Sequence, residues 1–443
     1  MGPWVSALSA GASDMSAWVL MGLPASIYVA GISQAWIAIG LAIGYAASWL
    51  FMAPRLRKYT ILANDSITLP QYLTNRFLSG SKLLQIICAV IFLVAYTIYA
   101  ASSVKACGTL FHTVIGIDET KAMYLAAGII IGYTFLGGFH AVCWTDFFQG
   151  LLMLAALLIA PVFALILIQN GEAAGSVAEL PEGYWKLFTN WKDVASGLGW
   201  GLGYFGMPHI IVRFMSVKSD KDLRKGAKIG IGWNLLIIFF SVAAGCIGHI
   251  FLGQIEDSST VFIQMVRRIF PAVISGILLS SILAASMSTA DSQLLASASA
   301  FASDVYKPII RKGKAGEKEM LWAGRVVVLA ISVIAVLIAS NPGSGSVMSL
   351  VENAWGVFGA AFGPVLLLSL FWRRFNFPGA VAGILTGAAV DIGWLVFLKD
   401  FGLYEIIPGF AAGLIAAVAV SLVTKAPKEE VTALYDKVST YEG

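Results

Sequence analysis

The feature that most constrains this chain is its alternation of long apolar runs with short charged stretches. Of its 443 residues, 58% are hydrophobic and only 12% are charged, about half the charged fraction of a soluble domain. A membrane-spanning helix needs about 20 mostly apolar residues. Twelve segments fit, numbered 1 to 12 along the chain: 3–26, 31–53, 83–112, 121–139, 140–168, 195–214, 228–255, 270–303, 320–340, 346–372, 378–397 and 406–424.

These runs lack the two-residue alternation of outer-membrane strands, so the sequence predicts an all-α polytopic membrane protein with about twelve transmembrane helices. The basic residues indicate its orientation. Of 29 Lys and Arg residues, 21 lie in the tail after residue 424 and in the loops after segments 2, 6, 8 and 10, with Arg213 counted in a loop. Cytoplasmic loops carry an excess of Lys and Arg. We therefore expect both termini of this chain to be cytoplasmic.

Several classes of function find no support in the residues. The four cysteines lie singly in apolar segments without paired spacing, and the four histidines are equally isolated. No nucleophile–base cluster is evident, and the net charge of +4 does not indicate nucleic acid. We expect no enzyme activity, no cofactor and no obligate protein partner.

Asp14 lies in the middle of segment 1, among small residues and hydroxyls, in the stretch SAGASDMS. An ionisable side chain at the bilayer centre costs about 2.5–3.5 kcal/mol on insertion scales, so it usually faces a cavity or a partner. Serine side chains compete for the backbone hydrogen bonds of a helix. Irregular backbone at this depth survives only where it lines a cavity. The sequence therefore predicts an unwound turn at Asp14.

Segment 6 is the second candidate for an interrupted helix. It reads ASGLGWGLGYFGMPHIIVRF, with five glycines and Pro208, residues that weaken or break a helix. The two breaks lie in segments 1 and 6, five segments apart. Because five is an odd number, these two segments cross the membrane in opposite directions, and the two halves of the chain are inverted relative to each other. Interrupted helices at matching positions of inverted halves are the best sequence indication of a secondary transporter's binding site.

Segment 8 contains an unusual density of hydroxyl groups, including the adjacent Ser288 and Thr289. Two interpretations of this pattern remain open from composition alone. Small residues and serines often mark close helix packing in lipid. Hydroxyls next to the carbonyls of a broken helix are also the oxygen ligands that a hard cation such as sodium prefers.

The stretches SAGASDMS, GWGLGYFGMPH and LLSSILAASMSTADSQLL resemble motifs of the sodium:solute symporter family, and WTDFFQ, AWGVFGAAFGPV and GLYEIIPGF extend the likeness to about Lys425. The detail is most similar to the family's proline carriers of bacterial inner membranes. The resemblance implies the leucine-transporter-like fold, a five-plus-five inverted repeat with broken helices 1 and 6. The repeats would be residues 1–168 and 195–372, followed by two additional helices at 378–424 and a cytoplasmic tail at 425–443.

The resemblance also implies a transport function, the symport of sodium with L-proline, and a set of site residues. Sodium would bind backbone carbonyls of Ala12, Met15 and Ala285 and the hydroxyls of Ser288 and Thr289, with Asp14 supporting the site. Proline would bind among Ser16, Tyr99, Trp200, Tyr204 and Pro208. The apolar ring of proline packs well against a flat apolar surface, which Trp200 and Tyr204 could supply. Asp146 matches a family acid of less certain role.

Two departures from the family pattern keep alternatives open. The family normally has one more helix ahead of the first broken one, and this chain opens almost at that helix. Ala17 stands where the proline carriers have glycine, and its methyl group could shift the solute preference. The alternative functions are symport of another small solute with sodium and, less in keeping with the short tail, a transporter-like membrane sensor.

Overall fold

The computed structural model describes residues 1–136, 139–171 and 180–441, and regular structure in these ranges is helical. Nine helices in these ranges are long and apolar enough to span a membrane. The predicted segments have these observed bounds: Pro3–Asp14 and Gly22–Ala30 for segment 1, then Ile32–Leu62, Leu83–Ile115, Glu119–Leu136, Phe139–Gln169, Trp191–Gly199 with Pro208–Met215 for segment 6, Asp220–Leu252, Ala272–Ile310, Glu317–Ala339, Val347–Phe371, Phe377–Phe397 and Ile406–Val423.

Both predicted interruptions are confirmed. Segment 1 consists of helix 1a (Pro3–Asp14) and helix 1b (Gly22–Ala30), and residues 15–21 between them form the first break, which includes one 3₁₀ turn at Ala17–Val19. The Ser16 side chain accepts a hydrogen bond from the Trp18 N–H. This is the competition between hydroxyl and backbone that the serine-rich stretch predicted.

Segment 6 consists of helix 6a (Trp191–Gly199) and helix 6b (Pro208–Met215), and residues 200–207 form the second break, mostly as a 3₁₀ helix. Pro208 occupies the first turn of helix 6b, where its missing N–H costs nothing. A Cβ on Gly44 of segment 2 would collide with the Gly201 carbonyl. Glycine at both positions therefore lets segment 2 pack backbone to backbone against the second break.

The structure extends several elements beyond their predicted ends. Segment 2 continues to Leu62 through a π-helical turn at Ser48–Met52, and segment 8 continues to Ile310. Segments 4 and 5 are predicted to meet between residues 139 and 140, and the helix of segment 5 already begins at Phe139. Residues 137–138, between the two helices, lie outside the described residues. Three further helices were not predicted, because their mixed polar composition resembles a loop: Leu69–Arg76, Val261–Ile269 and Glu429–Thr440.

Candidate functional site

The carbonyl of Ala12 near the end of helix 1a is the meeting point of segments 1 and 8. The hydroxyl of Ser288 donates to it at 2.9 Å and that of Thr289 at 3.4 Å. Ser288 Oγ also lies 3.1 Å from the Ala285 carbonyl oxygen. Ala12 and the three residues of segment 8 are fully buried. Four of the five predicted sodium ligands therefore lie together, and rotation of each hydroxyl would turn its lone pairs toward a cation.

Met15, the fifth predicted ligand, is the first residue beyond helix 1a. Its N–H still donates to the Gly11 carbonyl at 2.8 Å. Its ψ of 77° differs from the helical value of about −42° and directs the following chain out of the helix. The ladder of backbone hydrogen bonds ends at this residue, so its carbonyl points in a different direction from those of helix 1a.

Asp14 connects the two breaks. Its Oδ2 accepts a hydrogen bond of 2.5 Å from the Tyr204 hydroxyl. Its backbone carbonyl accepts from Ser16 N–H, Trp18 Nε1–H and Tyr99 O–H at 2.9, 3.2 and 3.3 Å. Asp14 is completely buried, and its Oδ1 has no hydrogen-bond partner within the described ranges. Ionisation of Asp14 would therefore place a negative charge at the first break that no ion pair of the described residues balances.

The predicted solute residues are packed around this charge. Ser16, Tyr99, Trp200 and Tyr204 are each at most 2% exposed. The Trp200 ring centroid lies 5.2 Å from that of Tyr404 and 6.2 Å from that of Trp18. In this conformation the rings at the breaks contact one another, so the space between them is closed.

Two cavities lie on opposite sides of this closed centre. One, of about 590 Å³, is lined by Gly22 and Met348 and lies on the side that the basic-residue count places outside. The other, of about 570 Å³, is lined by Pro208, Arg213 and Ser292 and lies on the opposite side. Pro208 therefore faces the second cavity at the beginning of helix 6b. We call these the outer and the inner cavity.

Asp146 of segment 5 lies in a buried polar network with Arg213 and Ser292, two residues that line the inner cavity. Its Oδ2 accepts hydrogen bonds from Ser9 Oγ at 2.7 Å and from Arg213 Nη2 at 3.2 Å. Arg213 also donates to Ser9, to Ser292 and to the carbonyl of His209. The network therefore joins segments 1, 5, 6 and 8.

The assignment of Arg213 to a cytoplasmic loop was wrong. Arg213 belongs to helix 6b and is 2% exposed. A buried arginine requires an acidic or carbonyl partner, and Asp146 was the available acid. Ser9 and Ser292 were also missed, because a single serine in an apolar helix carries no signal of its own.

Two interrupted helices that meet at Asp14 and Tyr204, beside a cluster of carbonyls and hydroxyls and with a cavity on either side, define a secondary transporter. The structure of a Na⁺-coupled sialic acid symporter is similar with a TM-score of 0.77 and 18% identity, over 97% of this chain and 91% of that one. MhsT in complex with L-phenylalanine is similar with a TM-score of 0.61 and 13% identity, over 94% and 97%. These similarities show a shared fold.

The sequence model of the sodium:solute symporter family matches residues 1–387, so the chain belongs to this family. It is 44% identical to the high-affinity proline transporter PutP of Bacillus subtilis, over 100% of this chain and 94% of the relative. It is 45% identical to sodium/proline symporter 2 of Staphylococcus saprophyticus, over 99% and 88%. It is 43% identical to the sodium/proline symporter of Haemophilus influenzae, over 99% and 90%. The chain is thus a transporter and not an enzyme.

Proposed function

We propose that this protein imports L-proline by alternating access, driven by one sodium ion or more. The identity of 43–45% to curated proline carriers over nearly the whole chain supports this solute. The convergence of the Ser288 and Thr289 hydroxyls on the Ala12 carbonyl carries the proposal for the ion. Sodium is the co-transported ion, and no cofactor takes part.

Sodium would bind the carbonyls of Ala12, Met15 and Ala285 and the hydroxyls of Ser288 and Thr289. All five groups are neutral oxygens, the ligand type that a hard monovalent cation prefers. Their buried position makes an uncompensated cation costly. The unpaired oxygen of Asp14 compensates for this cost electrostatically, without direct coordination. Sodium then holds segments 1 and 8 together across the first break.

Proline would bind between the two breaks, among Ser16, Tyr99, Trp200, Tyr204 and Pro208. The Tyr99 and Tyr204 hydroxyls already bond to Asp14, so sodium at the adjacent oxygens and solute at these rings act on the same residues. The rings are closed on one another, and the solute therefore requires Trp200 to separate from Trp18. Ala17, buried in the first break, adds a methyl group at this point.

The sodium gradient supplies the energy for accumulation. One sodium ion moving down about 100 mV releases about 2.3 kcal/mol. A roughly tenfold concentration gradient adds about 1.4 kcal/mol. At one-to-one coupling the sum of about 3.7 kcal/mol supports a proline ratio of several hundred.

The proposal also includes the orientation of the protein in the membrane and its division into two repeats. The protein lies in a bacterial inner membrane with both ends of this chain in the cytoplasm, in accord with the excess of Lys and Arg in the inner loops. Residues 1–168 and 195–372 form the two inverted repeats, each beginning with one of the broken helices, and 378–424 adds two helices before the tail.

Uptake of radiolabelled proline into proteoliposomes tests this proposal. The wild type is compared with and without an inward sodium gradient, beside Thr289→Ala. Ser280→Ala is the matched control, because Ser280 is exposed on the same helix and bonds only locally to Ile277. We expect sodium-dependent accumulation that Thr289→Ala abolishes and Ser280→Ala retains. Sodium-driven uptake of another solute with no proline uptake would overturn the solute assignment, and uptake independent of sodium would overturn the ion.

A further inference from the structure

Three carboxyl groups lie near the ends of segments 10, 11 and 12 that face the outer side. Glu352 lies five residues into segment 10, Asp391 lies six residues before the end of segment 11, and Glu405 immediately precedes segment 12. Asp391 is therefore about 9 Å from the end of its helix at 1.5 Å per residue. Asp391 is 0% exposed and Glu405 is 7% exposed. These groups take no part in the sodium and proline sites described above.

Asp391 is buried without a partner. Neither of its carboxylate oxygens has a hydrogen bond in the described part of the chain, and Glu405 Oε1 lacks one as well. An ionised carboxylate in this situation costs several kcal/mol. Asp391 therefore differs from an ordinary polar residue at a helix interface, because the oxygens of such a residue normally have hydrogen-bond partners.

Two glycines make room for the Asp391 side chain beside Glu405. A Cβ on Gly356 would lie 2.9 Å from Asp391 Oδ1 and 3.4 Å from Glu405 Cγ, so both acidic side chains border the same point. A Cβ on Gly409 would lie 2.9 Å from the Cβ of Asp391. Side chains at Gly356 and Gly409 would displace the carboxyl group of Asp391, and glycine on both neighbouring helices leaves it in place.

The charges around the pair do not neutralise it. Glu405 acts electrostatically on Asp391 and on Glu352, and all three acids act on the Tyr404 hydroxyl. Lys399, on the exposed 3₁₀ turn before segment 12, acts on Glu352 and Glu405, and no ion pair of the described residues includes Asp391. Two carboxyl groups that border one buried space cannot both ionise easily, and such a pair shares a proton.

The loop that carries Glu405 also holds helix 6a. Lys192 Nζ donates to the Phe401 carbonyl at 2.6 Å, and the Tyr404 N–H donates to Ser196 Oγ at 3.0 Å. The Tyr404 hydroxyl donates to the Glu352 carbonyl at 2.9 Å, and its ring lies 5.2 Å from Trp200. Glu405 therefore directly follows Tyr404, the residue that contacts Ser196 of helix 6a. A change of charge at Glu405 can affect this contact through the adjoining backbone.

We propose that Asp391 and Glu405 form a proton-binding site that holds one shared proton at neutral pH and controls the docking of the loop 398–405 on helix 6a. With the proton bound, the pair carries one negative charge. Loss of the proton on the alkaline side leaves two charges in one buried space. The repulsion separates segment 11 from the loop and weakens the contacts of Tyr404 with Ser196 and Trp200.

The test uses Asp391→Asn, because an asparagine beside ionised Glu405 has the charge and the hydrogen-bond donor of the protonated pair. Initial rates of sodium-driven proline uptake are measured against external pH. We expect the wild-type rate to fall above the titration midpoint by up to about tenfold per pH unit, the limit for loss of one proton. Asp391→Asn retains the neutral rate and loses this decline. Asp400→Asn, an exposed acid of the same loop, is the control and follows the wild type.

Infrared spectroscopy of the purified protein gives a second readout, independent of uptake. The wild type should show the carbonyl stretch of a protonated carboxylic acid that disappears at alkaline pH and is missing from Asp391→Asn and from Glu405→Gln. If Asp391→Asn does not fold, Glu405→Gln carries both measurements. Because uptake rests on the proposed function and the infrared band does not, failure of proline transport alone leaves this proposal standing.

Two results would overturn the proposal. One is a pH profile of Asp391→Asn or Glu405→Gln that superimposes on that of the wild type, together with no difference in the protonated-acid band. The other is a lower sodium-to-proline stoichiometry in the variant, because it would show that the pair binds a metal cation and not a proton.

Discussion

Asp14 and Asp146 are both fully buried acids beside helix 1a, yet their surroundings differ. Asp146 pairs with Arg213 at 3.2 Å and accepts a hydrogen bond from Ser9. Asp14 has only the hydroxyl of Tyr204 on its carboxylate and no ion pair in the described residues. Each of the two acids keeps one carboxylate oxygen without a hydrogen bond there. The charge of Asp146 is balanced within the protein and holds four segments together. An ionised Asp14 has no such partner, and a cation at the neighbouring oxygens would balance its charge.

The largest expected effect is a loss of stability when Asp146 loses its partner Arg213. Arg213→Met leaves Asp146 as an unpaired buried carboxylate, a change that typically destabilises by about 3–5 kcal/mol. The double variant with Asp146→Asn removes the stranded charge and should recover much of this loss. Thermal unfolding of the purified protein in detergent measures both. Equal melting temperatures for the wild type and Arg213→Met would show that the pair does not stabilise the inner side.

Asp14→Asn should change the sodium dependence of uptake and not the stability of the protein. It removes a buried charge that no described cation pairs, so stability should be unchanged or higher. The sodium concentration for half-maximal uptake should rise by at least about tenfold, equivalent to about 1.4 kcal/mol. Melting and sodium titration of the same preparation separate the two effects. A large loss of stability with normal sodium dependence would make Asp14 a structural residue like Asp146.

Tyr204→Phe should produce a smaller and more specific change. It deletes the 2.5 Å hydrogen bond between the two breaks but leaves the Asp14 carboxyl group in place, and a typical hydrogen bond contributes a net of about 0.5–1.5 kcal/mol. We expect a weaker effect of sodium on proline affinity. Tyr45→Phe is the matched control, because the Tyr45 ring packs edge-on against Tyr204 at 5.2 Å while its hydroxyl has no partner in the described residues. Identical behaviour of the two variants would remove the Tyr204–Asp14 bond from the coupling mechanism.

The smallest effect is expected at an exposed acid–base pair. Asp436 of the tail helix bonds to Arg373 at 2.8 Å, and this hydrogen bond holds the pKa of Asp436 below its usual range. A lowered acid pKa stabilises the folded state above the unfolded pKa, and the contribution disappears as pH falls through the lowered value. The protection of Glu429–Thr440, measured as the hydrogen-exchange rate relative to the intrinsic rate at each pH, should therefore be constant near neutrality and fall only in strong acid.

Arg373→Gln sharpens the contrast with Arg213→Met, since surface pairs contribute little to stability. Exchange in the tail helix of Arg373→Gln should be slightly faster, with no change in the melting temperature. A melting temperature lowered as much as in Arg213→Met would show that burial does not determine how strongly these pairs stabilise the protein.

The sequence was sufficient where the physical cause is local. Glycine, proline and serine act on their own backbone, and both breaks were found from them. Ser288 and Thr289 were found as neighbours in one helix. Asp391 and Glu405 could not be found this way, because the space they share is formed by three packed helices. The tail helix was missed for a similar reason, since its apolar face becomes evident only against Tyr59 and Arg55.

Equilibrium binding to the purified protein tests the central claim most directly, namely that the oxygens around Ala12 bind sodium beside the uncompensated charge of Asp14. Proline affinity is measured with and without sodium, and sodium affinity with and without proline, in the wild type and in Thr289→Ala. Linkage requires the two enhancement factors to be equal. We predict equal factors well above one in the wild type and near one in Thr289→Ala. Proline binding that is independent of sodium in the wild type would contradict the claim.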